Sequence, residues 1–187
     1  MYEASDLKKG LKIEIDGEPY VVTDFEFSKP GKGQAIYRVR MKNMLTGYSI
    51  DKSYRSNDKF KQADLMSTKM EYLYFDGQNY CFMNPATFEN ELADEAIIGD
   101  NKYFMLENTE VDVLFYGNKI IDVTLAAFVD LKVVKSAPGV RGDTATNVTK
   151  PATLETGVEV QVPLFIEEGD YIKVDTRTGD YVERAKK

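Results

Sequence analysis

Histidine is absent from the 187 residues, and cysteine occurs once. The first absence excludes Ser-His-Asp and Cys-His nucleophile systems, every histidine-containing zinc site and the commonest general base. The second excludes an intrachain disulfide and a thiolate zinc site. Cys81 lies in the apolar run Tyr80-Cys81-Phe82-Met83, where a buried structural thiol is expected rather than a nucleophile. Long apolar runs are also missing: none approaches the ~20 residues that a bilayer-spanning helix needs. Met1-Tyr2-Glu3 opens without a basic n-region or an apolar h-region, so no targeting segment is expected. A cytoplasmic protein with no cofactor and no membrane partner follows as the working expectation.

What is present is the composition of a folded protein, 43% hydrophobic and 29% charged with ten Phe and twelve Tyr. The net charge of -7 would ordinarily argue against a nucleic-acid partner, but its distribution matters more than its sum. Residues 1–64 hold 12 Lys/Arg against 10 Asp/Glu, residues 65–130 hold 3 against 12, and residues 131–187 hold 9 against 9. The acidity is therefore confined to the middle. Within residues 26–42, by contrast, Lys29, Lys32, Arg38, Arg40 and Lys42 face Glu26 alone. A phosphate-facing hairpin on an otherwise acidic body is permitted.

The chain reads as strands and corners. Leu11-Lys12-Ile13-Glu14-Ile15 alternates, Asp16-Gly17-Glu18-Pro19 turns, and Tyr20 to Phe27 returns as a β-branched and aromatic strand. After the next corner, Ala35 to Met41 alternates again, and Met44 to Ile50 adds a turn and a strand. The first third predicts an SH3-like barrel. Tyr54 to Asp64 is polar and without period, which marks a linker or a sheet edge and places a domain boundary near Asp64. An Asp76-Gly77 hairpin, a short helix over residues 85–96 capped by Asn84 with Phe88, Leu92 and Ala96 on one face, and a Gly117-Asn118 hairpin then suggest a partly open barrel of the OB type. The last third repeats the habit, with strands near residues 131–134, 158–164, 171–175 and 181–183 and a Gly/Pro/Thr-rich loop over residues 137–149. Three units follow: 1–64, 65–128 and 129–187.

The corner Lys29-Pro30-Gly31-Lys32-Gly33-Gln34-Ala35 carries the strongest local signal. Pro30 fixes its own φ and biases Lys29 toward extended geometry, while Gly31 and Gly33 permit positive φ on either side of Lys32. Lys32 would point off the end of a hairpin. Taken locally this reads as a solvated turn with an ordinary lysine before it reads as a working tip. Gly31-Lys32-Gly33 is not a Walker A loop, because the required spacing, Ser/Thr and following helix are missing. The carboxylates Glu89, Glu91, Asp94 and Glu95 read as a solvated acidic face, there being no glycine-centred calcium loop. Gly142-Asp143-Thr144, beside Arg141, is equally a backbone grip on RNA or a bland turn. Tyr181-Val182-Glu183-Arg184 offers an aromatic and a guanidinium suited to stacking or phosphate contact, and is also an ordinary strand end.

Four ordered motifs resemble bacterial elongation factor P across the whole chain. They are the lysine loop 29–35; its flanks Asp16-Gly17-Glu18-Pro19-Tyr20 and Leu45-Thr46-Gly47; the loop Gly142-Asp143-Thr144-Ala145; and Lys150-Pro151-Ala152-Thr153-Leu154-Glu155-Thr156-Gly157 with Val162-Pro163-Leu164-Phe165-Ile166. The resemblance implies an all-β protein, an SH3-like (KOW-type) barrel followed by two OB-fold β-barrels in a tRNA-like L shape. It implies a monomeric, non-catalytic translation factor that binds the 70S ribosome between the P and E sites, with rRNA, P-site peptidyl-tRNA and E-site mRNA as partners. Such factors relieve stalling at consecutive prolines. Lys32 would be the residue that a lysine-modifying enzyme extends, and Lys29, Pro30, Gly31, Lys32, Gly33 and Gln34 would form the loop at the CCA end of the P-site tRNA. Gly142, Asp143 and Thr144 would face the messenger, and Tyr181 and Arg184 would contact tRNA or the small subunit. A paralogous elongation factor P-like protein, or a multi-OB single-stranded nucleic-acid binder, are the other readings.

Overall fold

In the computed structural model, which describes residues 1–138 and 148–186, sixteen strands and three single-turn helical segments make up the regular structure. The chain forms two compact units. The first comprises Met1–Ser67 with Leu114–Ile121. Its strands are β1 (Tyr2–Glu3), β2 (Lys12–Ile15), β3 (Glu18–Ser28), β4 (Ile36–Asn43), β5 (Ser49–Arg55) and β6 (Lys59–Gln62). They pair in the order β1-β6-β2-β3-β4-β5.

Period-2 alternation decides which residues enter the core of this unit. Along β4, Tyr37, Val39 and Met41 are buried while Ile36, Arg38, Arg40 and Lys42 face outward. Tyr37, Val39 and Met41 pack with Ala4, Leu7, Ile13, Val22 and Phe60, each large apolar side chain contributing roughly 1.5–3 kcal/mol of burial. The β2–β3 corner takes positive φ at both Asp16 (51°) and Gly17 (80°), as a type I′ hairpin requires. Residues 54–64, expected as a linker or an edge, instead contain β6, which pairs on both sides: Phe60 stands opposite Tyr2, and Gln62 opposite Ile13. A single buried aromatic, Phe60, holds this otherwise solvent-facing strand in place. That is why no apolar period announced it.

A second sheet runs in the order β11-β10-β7-β8-β9, from β7 (Leu65–Phe75), β8 (Asn79–Met83), β9 (Asn90–Asp94), β10 (Thr109–Tyr116) and β11 (Lys119–Thr124). The Asp76-Gly77 corner is built as expected: Asp76 Oδ1 accepts from the N–H groups of Gln78 and Asn79 at 2.9 and 2.7 Å. Those two bonds hold the Asp76 carboxyl below its usual range. The helix expected over residues 85–96 does not form. Asn84 Oδ1 does accept from Ala86 and Thr87 at 2.9 and 3.3 Å, and Phe88 N–H donates to the Asn84 carbonyl at 2.8 Å. This single turn stops because Phe88 adopts φ 61° and reverses the chain into β9, where Leu92 pairs with Cys81. Phe88 and Leu92 project to solvent, and Ala93 is the buried residue. The only α-helical turn in this region is α1 (Glu95–Ile98), whose N-cap is Asp94.

The second unit comprises Thr68–Val113 with Asp122–Lys187. It includes a sheet ordered β14-β13-β12-β15-β16, from β12 (Phe128–Ser136), β13 (Thr149–Leu154), β14 (Glu159–Pro163), β15 (Tyr171–Asp175) and β16 (Tyr181–Ala185). Its end strands β14 and β16 touch, so the sheet curls toward closure. Leu131, Val133, Leu154, Val162, Ile166, Ile172 and Val174 fill the interior, all completely buried. Cys81 is a free, buried thiol. No helix among the described residues is long and apolar enough to cross a membrane.

Candidate functional site

The hairpin β3–β4 is the structural basis of the site. β3 is eleven residues long, roughly 35 Å if straight at about 3.3 Å per residue, less its bend. The bend is a bulge at Thr23, set by the register shift between Val22 and Asp24. Thr23 Oγ1 donates to the Arg40 carbonyl at 3.1 Å there. Beyond the bulge the ladder runs without interruption through Asp24–Arg40, Phe25–Val39, Glu26–Arg38 and Phe27–Tyr37 to Ser28–Ile36.

The tip is a tight turn. Gly33 N–H donates to the Pro30 carbonyl at 2.8 Å. Gly31, the first central residue, has φ 48°, the arrangement of a type II′ turn, which asks for glycine at that place. Lys32 is the second central residue. Residues 26–34 are all exposed, so Lys29 and Lys32 stand in solvent on a rigid, hydrogen-bonded base. This turn brings Lys29, Pro30, Gly31, Lys32, Gly33 and Gln34 together as expected from the sequence.

The outward face below the tip is less basic than the residue count suggests. Arg40 makes a two-pronged pair with Asp51, at 2.9 and 3.2 Å, which holds the Asp51 carboxyl below its ordinary value. Arg38 stands directly across from Glu26. Of the five cations in residues 26–42, Arg40 alone has an ion-pair partner among the described residues, and Lys29 and Lys32 are the two carried by the turn. A third feature was not singled out from the sequence. Phe27 alternates with Phe25 and so belongs to the core face, yet its position one rung from the turn carries it past the end of the core, and it is 53% exposed.

Gly142, Asp143 and Thr144 lie outside the described residues. Tyr181 and Arg184 do not behave as residues three apart on a plain strand. The register shift opposite Lys173 and Val174 makes Val182 a bulge residue, so that Tyr181 pairs with Val174 and Arg184 with Ile172. Both side chains then share one face. Tyr181 packs against the buried cluster, and burial raises its phenol pKa, with Glu183 adding to the shift. The Arg184 guanidinium donates to Asp170 at 2.8 Å.

These features define a class: an all-β protein with an exposed lysine loop at the tip of a long hairpin. Family models match nearly the whole chain. The elongation factor P KOW-like domain covers residues 3–60, the elongation factor P OB domain residues 65–123, and the elongation factor P C-terminal model residues 129–184. Elongation factor P of Desulfosudis oleivorans is 54% identical over 187 residues, covering 100% of both chains, and that of Desulforapulum autotrophicum is 53% identical over 184 residues, covering 98% of both. The Geobacter sulfurreducens protein named elongation factor P 2 is 53% identical over 186 residues, again with 100% coverage of both. Among solved structures, eukaryotic translation initiation factor 5A from Methanococcus jannaschii is similar with a TM-score of 0.54 and 25% identity, over 65% of this chain and 94% of that one. The chain belongs to the elongation factor P family, and it is a translation elongation factor with KOW-like and OB domains.

Proposed function

We propose that this protein binds the ribosome between the peptidyl and exit sites and stimulates peptide-bond formation where consecutive prolines stall it, with Lys32 reaching the CCA end of the peptidyl-tRNA. The observation that supports this reading best is the presentation of Lys32: an exposed lysine at the second central position of a glycine-shaped turn, on a long hydrogen-bonded ladder. A compact cation with three donors suits phosphate and ribose oxygens. It also offers a nucleophilic amine, once deprotonated, to an enzyme that extends it.

The role is one of orientation. A proline at the reacting centre misplaces the attacking and accepting groups, and holding the CCA end removes part of that freedom. Well-aligned systems gain several kcal/mol or more in this way, of which a small part suffices. A turn closed by its own hydrogen bond serves this purpose because part of the ordering cost is met when the protein folds. Gly142, Asp143 and Thr144 would face the messenger in the exit site, and Tyr181 and Arg184 would lie near tRNA or the small subunit. The excess of nine negative charges in residues 65–130 would keep that part off RNA phosphate.

The test is a purified translation system reading a Pro-Pro message. Lys32→Ala is expected to keep its fold and lose the stimulation, and full retained activity would sink the proposal. Intact-protein mass spectrometry of material from the native source is expected to show a mass increment that maps to the peptide containing Lys32. Co-sedimentation with ribosomes, set against affinity for free oligonucleotides, separates this reading from single-strand binding, which would show steep salt dependence on any oligonucleotide.

A further inference from the structure

Phe27 closes a row of aromatic rings that starts inside the core of the first unit and ends outside it. Tyr54 meets Phe60 edge-on at 4.7 Å between centroids. Tyr54 is the cross-strand neighbour of Tyr37, and Tyr37, itself buried, packs on Phe25 at 5.9 Å and on Phe27 at 5.1 Å. Four of these rings are wholly or partly covered. Phe27 is the exception, although its backbone is locked in the ladder opposite Tyr37.

An exposed aromatic ring is ordinarily a minor liability, and one that is also held rigid is a ready contact surface. The ring is braced from behind by Tyr37, so presenting it to a partner costs little side-chain entropy. Its surroundings specify what kind of partner. Lys29 lies two residues ahead and Lys32 five ahead, both exposed, and neither has an anionic partner among the described residues. An aromatic ring beside two unpaired cations is the combination that grips a single-stranded nucleic acid, with the ring taking the face of a base and the ammonium groups taking its phosphates. A protein partner with an acidic, apolar surface would meet the same charges. A nucleotide fits better, because the large exposed apolar side chain on this face of the hairpin is one ring with a flat face, Ile36 on the next rung facing the other way.

We infer that Phe27 is a positioning residue that stacks on an unpaired base at the 3′ end of the tRNA that Lys32 approaches. The inference rests on the ribosomal reading above and adds a second point of hold. Lys32 supplies charge at the tip, and Phe27 supplies a flat surface at the foot of the same loop. Two holds on one flexible end fix a direction, which a single cation on a rotatable stem does not.

Two measurements test it on the full chain. First, p-benzoylphenylalanine replaces Phe27, and the protein is irradiated on ribosomes stalled at a Pro-Pro codon pair with peptidyl-tRNA in place. Cross-linking to the 3′-terminal nucleotides of that tRNA is expected; cross-links confined to ribosomal RNA or to a protein would overturn the stacking. Second, the concentration dependence of stimulation is measured for Phe27→Leu and Phe27→Tyr. Loss of one base–aromatic stack is expected to raise the half-saturating concentration of Phe27→Leu by about tenfold, with Phe27→Tyr restoring it. A Phe27→Leu curve that overlays the unaltered protein's would overturn the stacking and leave the role of Lys32 standing. Failure of the unaltered protein to stimulate at all would overturn both.

Discussion

Gly33 donates its backbone N–H to the Pro30 carbonyl at 2.8 Å, and a Cβ added to Gly33 would sit 3.0 Å from that same oxygen. A contact that close is tolerated only if the carbonyl moves, and the carbonyl is backbone. Gly33→Ala must therefore shift the Pro30 carbonyl by a few tenths of an ångström, inside the turn that carries Lys32. The turn is exposed and contributes nothing to the core, so the change in unfolding free energy is expected to stay below about 0.5 kcal/mol. Stimulation of Pro-Pro synthesis is expected to fall at least tenfold. Thermal unfolding and the translation assay on the same preparation check both halves; an unaltered rate would show that loop shape is immaterial.

Tyr116 anchors the tip of the β10–β11 hairpin within the first unit. Its hydroxyl lies 2.9 Å from the Gly17 carbonyl, to which it donates, and 3.1 Å from Glu14 Oε2. Gly117 N–H adds a bond to the Asp64 carbonyl at 3.2 Å. Removing the hydroxyl in Tyr116→Phe is expected to cost at most about 1 kcal/mol, because water reaches the freed acceptors. Burial, and then the Glu14 carboxylate, raise the Tyr116 phenol above its ordinary value. The stability linked to it is therefore complete below about pH 10 and is lost as pH rises through the folded-state value. Tyr54, Tyr72, Tyr80 and Tyr181 are shifted the same way, each chiefly by burial. Denaturant titrations between pH 8 and 11 are expected to show a shallower alkaline loss for Tyr116→Phe without abolishing it. An unchanged slope would mean that Tyr116 titrates alike in both states.

Phe88 is a bulky residue held at φ 61° with 73% of its surface exposed. A non-glycine residue there costs about 1–2 kcal/mol, whereas glycine gives up only about 0.5–1 kcal/mol through the greater freedom of the unfolded chain. Phe88→Gly is expected to stabilise the protein by roughly 0.5 kcal/mol, read as a higher denaturant midpoint at constant slope. Destabilisation would show that the ring packs on something in spite of its exposure.

The same residue shows where sequence reading reached its limit. Asn84, Pro85 and the spacing of Phe88, Leu92 and Ala96 satisfied every local rule for a short helix. The Asn84 side chain even makes the capping bonds expected of it. What the rules could not weigh was the pairing of β9 with β8, a five-rung ladder that outbids one turn of helix. The β6 strand was hidden for a related reason, since one buried Phe60 leaves no period to read. The lysine loop was legible because its signal is local: proline and glycine chemistry decides a turn without help from elsewhere. The place of Phe27 was half-legible. Alternation with Phe25 puts it on the core face, but where the core ends along a strand depends on what packs across from it.

The β16 strand supplies a final case, in which tertiary pairing changes what two residues can do. Residues three apart on a regular strand point to opposite faces, yet the bulge at Val182 turns Tyr181 and Arg184 to the same side. There Arg184 meets Asp170, whose other oxygen accepts from Glu167 N–H at 2.9 Å. Asp170 thus closes its own turn and holds the guanidinium. If Arg184 serves RNA contact from this position, Asp170 sets its direction and partly neutralises it. Asp170→Asn keeps an acceptor for the turn while removing the charge. It is expected to cost about 1 kcal/mol or less and to strengthen the salt dependence of ribosome binding, because one more cation is free to meet phosphate. Asp170→Ala removes both bonds and is expected to cost about 1–2 kcal/mol. Co-sedimentation across a salt series, with Arg184→Ala beside Asp170→Asn, distinguishes the two uses of the guanidinium. Equal salt slopes in all three proteins would mean that Arg184 serves only the fold.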